Sequence, residues 1–138
     1  MNHICVIDLF YVDALEGGWL GPMAWENSIP FPTLAELSEA QASMDKRLIG
    51  LCNVLTPALL SGEVRINRGA HVQVERRDRL LMHLFQHQIH HRGQAHAMLS
   101  GTRIKPPQLD EFFSIEEAPL RASEFAGLGW TEETVWGR

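Results

Sequence analysis

Residues 83–96 read HLFQHQIHHRGQAH and hold five of the chain's seven histidines. They lie in a run, Asp78 to Ser100, with no proline and a single glycine. Leu80, Leu81, Leu84, Ile89 and Met98 supply the apolar contacts of a helix over about 79–100. Asp78 is placed to cap its start, Gly101 to end it, and Pro106-Pro107 to bar any continuation. On such a helix residues four apart stack on one face, with Cβ atoms about 5–6 Å apart. His83, His87 and His91 therefore form one continuous row. Two imidazoles at that spacing can bring nitrogens to about 2.0–2.1 Å from a shared zinc-like ion. An ion also requires the rings neutral, which removes the cost of crowding protonated rings together.

An isolated H-x-x-x-H pair arises by chance on many helices, so the density of the row carries the argument. A metal also wants a third ligand from another element. His3 is the one histidine outside the cluster on a predicted helix, because His71 falls in a stretch of alternating polarity beyond any helix. His3 lies in a first helical turn, where the positive dipole end disfavours imidazolium and favours the ligating form. Spacing alone does not choose between His83–His87 and His87–His91.

The rest of the chain is read as follows. Residues 3–16 form a helix with Ile4, Ile7, Phe10, Tyr11, Ala14 and Leu15 on one face, closed by Gly17-Gly18. Residues 19–32 form a long loop whose tryptophans pack it down. Thr33 and Glu36 make a capping box for a helix to about Leu55, with Leu34, Leu37, Met44, Leu48, Leu51 and Leu55 as its buried row. Thr56-Pro57 opens a short extra turn. Residues 63–66 and 71–74 alternate in polarity around Asn67-Arg68-Gly69-Ala70, which reads as a small hairpin or a loose polar excursion. A last helix at about 116–126 and a turn near 131–136 finish a single domain, residues 1–138.

Bulk properties narrow the function. A content of 45% hydrophobic and 21% charged residues is that of a globular chain. The net charge of -5 argues against a nucleic-acid partner, which draws affinity from clustered Lys and Arg. Arg76, Arg77 and Arg79 lie beside Glu75 and Asp78 and read as a solvated helix start. Cys5 and Cys52 are too few and too far apart for a disulfide framework or a redox pair, and read as buried free thiols. No stretch reaches the ~20 apolar residues of a membrane span, and the N-terminus lacks the basic region of a signal peptide. A cytoplasmic location follows by default.

The stretch His83-Leu84-Phe85-Gln86-His87-Gln88-Ile89-His90-His91-Arg92-Gly93-Gln94 closely resembles the signature of the DinB family (DinB/YfiT-like metalloenzymes). Asn2-His3-Ile4 followed by Asp8 looks like that family's other ligand helix, and Pro106-Pro107-Gln108-Leu109-Asp110 like its post-helix loop. The resemblance implies an all-α four-helix bundle, often a homodimer, with a metal held by one early histidine and an H-x-x-x-H pair. Carried onto this sequence the ligands are His3, His87 and His91, while His83 and His90 match flanking positions. The family normally places a helix before the first ligand. Its lack here implies either a groove covered by a second subunit or an upstream start.

Three nitrogen ligands leave coordination open, as in catalytic rather than structural zinc. An ion so held lowers the proton affinity of water or of a thiol. The resemblance therefore implies a metal-dependent enzyme, either a thiol transferase using a low-molecular-weight thiol or a hydrolase, with zinc or nickel ahead of iron or manganese. HExxH hydrolases place Glu beside the first histidine; here that residue is Gln88, which disfavours hydrolysis by that route. Asp8, Asp110, Glu111 or a non-ligating histidine remain as general bases. The rivals are a non-catalytic, stress-response protein whose ion braces the bundle, and a helical interaction module without metal. Among second-tier residues, Gly93 is read as a site of close backbone approach, Arg92 as a partner of Asp8 or Asp13, and Gln94 as support for a ligand or water.

Overall fold

The computed structural model describes residues 1–104, 106 and 114–137. It divides into two compact units, Met1–Ala95 and His96–Arg138. The chain is mostly helical with one two-stranded hairpin, in keeping with the expected helical class.

Helix α1 (Asn2–Leu15) is the centre of the first unit. Nine of its fourteen residues are buried, so it is enclosed on most sides, where a single apolar face was expected. A helix apolar nearly all round is stable only as a core element. It is flanked by helix α2 (Leu34–Asn53), by a 3₁₀ turn (Gly21–Trp25) and by strand β1 (Glu63–Asn67). The turn lies inside the segment expected to be plain loop. Gly21 has φ +57° and the Asn67 side chain fills the space a Cβ would need, so only glycine fits there. Trp25 lies against Phe10, ring centroids 4.6 Å apart, and does pack the segment down. Trp19 does not, being 55% exposed.

Helix α2 (Leu34–Asn53) opens with the predicted capping box: Thr33 Oγ1 accepts from Glu36 N, and Glu36 accepts from Thr33 N. The expected buried row is corrected. No residue of α2 is fully buried, and Leu34 is 84% exposed. Leu48 and Leu51, with Leu55 just beyond the helix, pack on the core. The first half of α2 instead borders an open groove lined by Met1, Leu34, Leu37 and Ala42. Arg47 ties α2 to the end of α1 through Glu16, at 2.6 Å.

A short α3 (Pro57–Ser61) leads into β1 (Glu63–Asn67) and β2 (Val72–Arg76), paired antiparallel with Glu63 opposite Arg76 and Asn67 opposite Val72. Of the two readings of this segment, the hairpin is the one formed. Two strands alone are marginal; here Val64 and Ile66 are driven into the core from the inner face. Gly69, at φ +78°, makes the turn.

Helix α4 (Arg77–Ser100) follows β2 directly. Leu80, Leu81 and Leu84 are buried as expected, but Ile89 and Met98 are not, at 72% and 73% exposed. The inward residue beyond Leu84 is Gln88. The aliphatic core thus ends at Leu84, and polar side chains take over. Cys5 is buried and Cys52 only half-buried, both as free thiols.

The second unit contains α5 (Ala118–Leu128) and α6 (Glu132–Trp136). Arg121, fully buried, donates to both carboxylate oxygens of Glu132 at 2.6 Å. Pro107 to Asp110 and Glu111, named above, lie outside the described residues.

Candidate metal centre

Helices α1 and α4 meet through a ladder of polar side chains. Arg77 Nη1 donates to the Leu15 carbonyl at 2.6 Å. Tyr11 Oη and His83 Nε2 are 3.2 Å apart. Gln88 Nε2 donates to Asp8 Oδ1. His87 Nε2 and His3 Nε2 are 3.2 Å apart. From Arg77 to Gln88 positions rise along α4 as they fall from Leu15 to Asp8 along α1, so the helices run antiparallel, and the ladder ends at histidines.

His3, His87 and His91 come together there, with one nitrogen of each within 4.8 Å of the others. Their ring centroids are 5.2, 4.7 and 4.4 Å apart. Two nitrogens on bonds of 2.0–2.1 Å at a tetrahedral angle lie roughly 3.3 Å apart, close to the His3–His87 spacing. Closing the whole set on one ion takes a side-chain adjustment on the order of 1 Å. His91 Nδ1 meets Gln94 Oε1 at 2.7 Å. An amide oxygen only accepts, so Nδ1 carries the proton and Nε2 is left with a lone pair.

Two of the rings, His87 and His3, are shifted toward the neutral form. Burial, then the neighbouring His91 and His3, push His87 down to about 4. Burial, then His91 and the terminal amine, lower His3. Neutral rings can accept a cation without first losing a proton. Among the described residues no carboxylate or thiolate joins the cluster, so the donor set is three nitrogens. That set suits a borderline divalent ion with coordination positions left over. The three histidines brought together here are those the resemblance named.

The DinB family model matches residues 1–124, a span that includes both helices of the histidine cluster. The chain belongs to the DinB family. No curated protein and no solved structure matches it.

In this DinB chain the flanking histidines separate from the triad. His83 is turned to Tyr11, with its ring centroid 6.4 Å from that of His87. His90 is exposed, with its ring 4.9 Å from that of His91 in an edge contact. His71 is exposed at the hairpin turn. Gln94 has the supporting role considered for it. Arg92 makes no ion pair with Asp8 or Asp13, although its charge acts on Asp8. Asp13 instead accepts from Leu20 N at 2.8 Å. Gly93 has nothing within 4 Å of where a Cβ would be among the described residues, so the close backbone approach expected there is not seen among them. Arg77, taken for a solvated residue, reaches back to α1.

Asp8 is 3% exposed, and its two oxygens accept from Gln88 and Gln41. Burial pushes its carboxyl up to about 6, against the opposing Gln41 hydrogen bond. With both oxygens engaged it acts as a brace that fixes α4 next to His87, and is poorly placed as a general base. His87 Nδ1 and Gln88 Oε1 are buried without a hydrogen-bond partner among the described residues. Sequence reasoning did not assign Gln88, Tyr11 or Gln41 these roles. The available signal was Asp8, a carboxylate set in the apolar run between Ile4 and Val12, which needed partners.

Proposed function

We propose that His3, His87 and His91 hold one divalent cation, zinc or nickel ahead of iron or manganese, and that the protein is a metal-dependent enzyme acting on a small molecule. The convergence of three imidazole nitrogens from two helices carries this reading, with the rings of His3 and His87 shifted toward the neutral form. A divalent ion in a three-nitrogen site supplies Lewis acidity, lowering the proton affinity of a thiol or water that enters. The protein's own part is positional. Gln94 sets the tautomer of His91, Asp8 and Gln88 lock α4 against α1, and burial keeps His87 unprotonated.

Thiol transfer is favoured over hydrolysis. A thiol is acidic enough to need little more than the ion, whereas attack by water gains from a general base. Gln88 cannot serve as one, and the oxygens of Asp8 are occupied. Elemental analysis of untagged protein tests the metal reading. One equivalent is expected in the native chain and none in His91→Ala; equal content in both would overturn it. Loading with cobalt and adding a small thiol tests the reaction class, because a new thiolate charge-transfer band is expected. A spectrum that no thiol or buffer anion perturbs favours a bracing ion.

The proposal extends to a cytoplasmic homodimer. Met82, Phe85 and Ile89 are 60%, 44% and 72% exposed and recur at three- and four-residue spacing on α4, which supports an apolar contact face. Among the described residues no helix is long and apolar enough to cross a membrane. Sedimentation of the native chain and of Ile89→Glu tests the dimer.

A further inference from the structure

One turn of α4 before the triad, a cavity of about 250 Å³ opens among Tyr11, Arg68, Gln73, Glu75, Arg79 and His83. Its central group is Arg68. This half-buried guanidinium lies over the Phe10 and Tyr11 rings, 4.9 and 5.6 Å from their centroids. Its Nε donates to Gln73 Oε1 at 2.8 Å and its Nη2 to Tyr11 Oη at 3.2 Å. Both acceptors are neutral. No acidic side chain among the described residues pairs with Arg68, since Glu75, which shares the cavity, is paired with Arg79 at 3.6 Å. Nη1 keeps both protons unused.

A guanidinium stacked on two rings, held by two hydrogen bonds and lacking a counter-charge has already lost the conformational freedom that binding would cost. We propose that this cavity is a subsite for a small carboxylate, received by Arg68 beside Tyr11 and His83. The charge balance selects the class. Arg68 and Arg79 against Glu75 leave one net positive charge, which suits a planar monoanion better than a phosphate dianion. The rings of His83 and His87 are 6.4 Å apart, so a carboxylate here would lie at the margin of the triad. In the enzyme proposed above it would orient a substrate by its acid group. The subsite depends on that reading for its use and not for its existence.

The chain has one tyrosine, so ¹³C-tyrosine labelling gives a single ring signal from inside the cavity. Acetate is titrated into the full chain as purified, and again after treatment with phenanthroline, a neutral chelator that does not compete for the cavity. A saturable shift is expected in both states. It should weaken at least tenfold in Arg68→Gln, several-fold in Arg68→Lys, and remain within twofold in His91→Ala. Arg68→Lys keeps the charge without the fork, so it serves should Arg68→Gln fail to fold. No saturable shift would overturn the proposal, as would a shift kept by Arg68→Gln or lost in His91→Ala. Tighter binding of inorganic phosphate than of acetate would overturn the assigned class. A protein that holds no metal yet shows the Arg68-dependent shift keeps the subsite and loses the metal reading.

Discussion

Replacing Gln94 with alanine tests whether the triad is pre-set for a cation. The Gln94 Oε1 contact with His91 Nδ1, at 2.7 Å, fixes which nitrogen of His91 carries the proton. Gln94 is exposed, so water partly replaces it when it is removed. A hydrogen bond of this kind is worth about 1 kcal/mol net, which is about fivefold in an equilibrium constant. Supporting residues of bound metals typically contribute about 10–100-fold. Gln94→Ala is therefore expected to weaken metal binding about five- to tenfold, read by competition with a chromophoric chelator near neutral pH. Gln94→Glu substitutes a charged acceptor, which makes a stronger bond, and should bind at least as tightly as the native chain. ¹⁵N spectra of the metal-free protein should show the His91 proton moving off Nδ1 in the alanine variant only. Alanine within twofold of native, or glutamate as weak as alanine, would refute the tautomer argument.

Acid should destabilise the metal-free protein. Between pH 6.5 and about 4 the unfolded chain protonates His87 before the folded one does, so stability is full above that window and is lost as pH falls through it. At about 1.4 kcal/mol per pH unit, reduced for the ring's partial exposure, the loss is roughly 1–2 kcal/mol, measurable by urea denaturation. Asp8, raised from 3.8 to about 6, acts in the opposite sense, so Asp8→Asn should steepen the acid loss; an unchanged profile would count against its burial. Leu84, 0% exposed, should cost about 2–5 kcal/mol as alanine, seen as a lower denaturation midpoint at unchanged slope. Gly93→Ala meets open space and should stabilise by about 1 kcal/mol; a drop in melting temperature would point to a second chain packed there.

The elements of this fold were legible where local chemistry determines them. Thr33 and Glu36 mark a helix start through their own hydrogen bonds, and Gly69 marks a turn through its backbone. The histidine row was legible because four-residue spacing puts His87 and His91 on one face whatever surrounds the helix. What periodicity could not supply was the environment of each face. Ile89 and Leu34 fit helical rows yet are exposed, because burial depends on which neighbour arrives. Gln88 was legible only as the non-basic neighbour of His87, and the fold buries it against Asp8, eighty positions away. Arg68 looked like a turn residue, and only the fold lays it across two aromatic rings.

The antiparallel ladder makes the candidate site a matter of phase. Each helical residue turns the chain about 100° and advances it about 1.5 Å. One residue inserted between His3 and Asp8 would swing His3 through that angle while Asp8, Tyr11 and Leu15 kept their partners on α4. Length in that short segment is therefore constrained far more tightly than composition, and families of such chains should tolerate substitution there more readily than insertion or deletion.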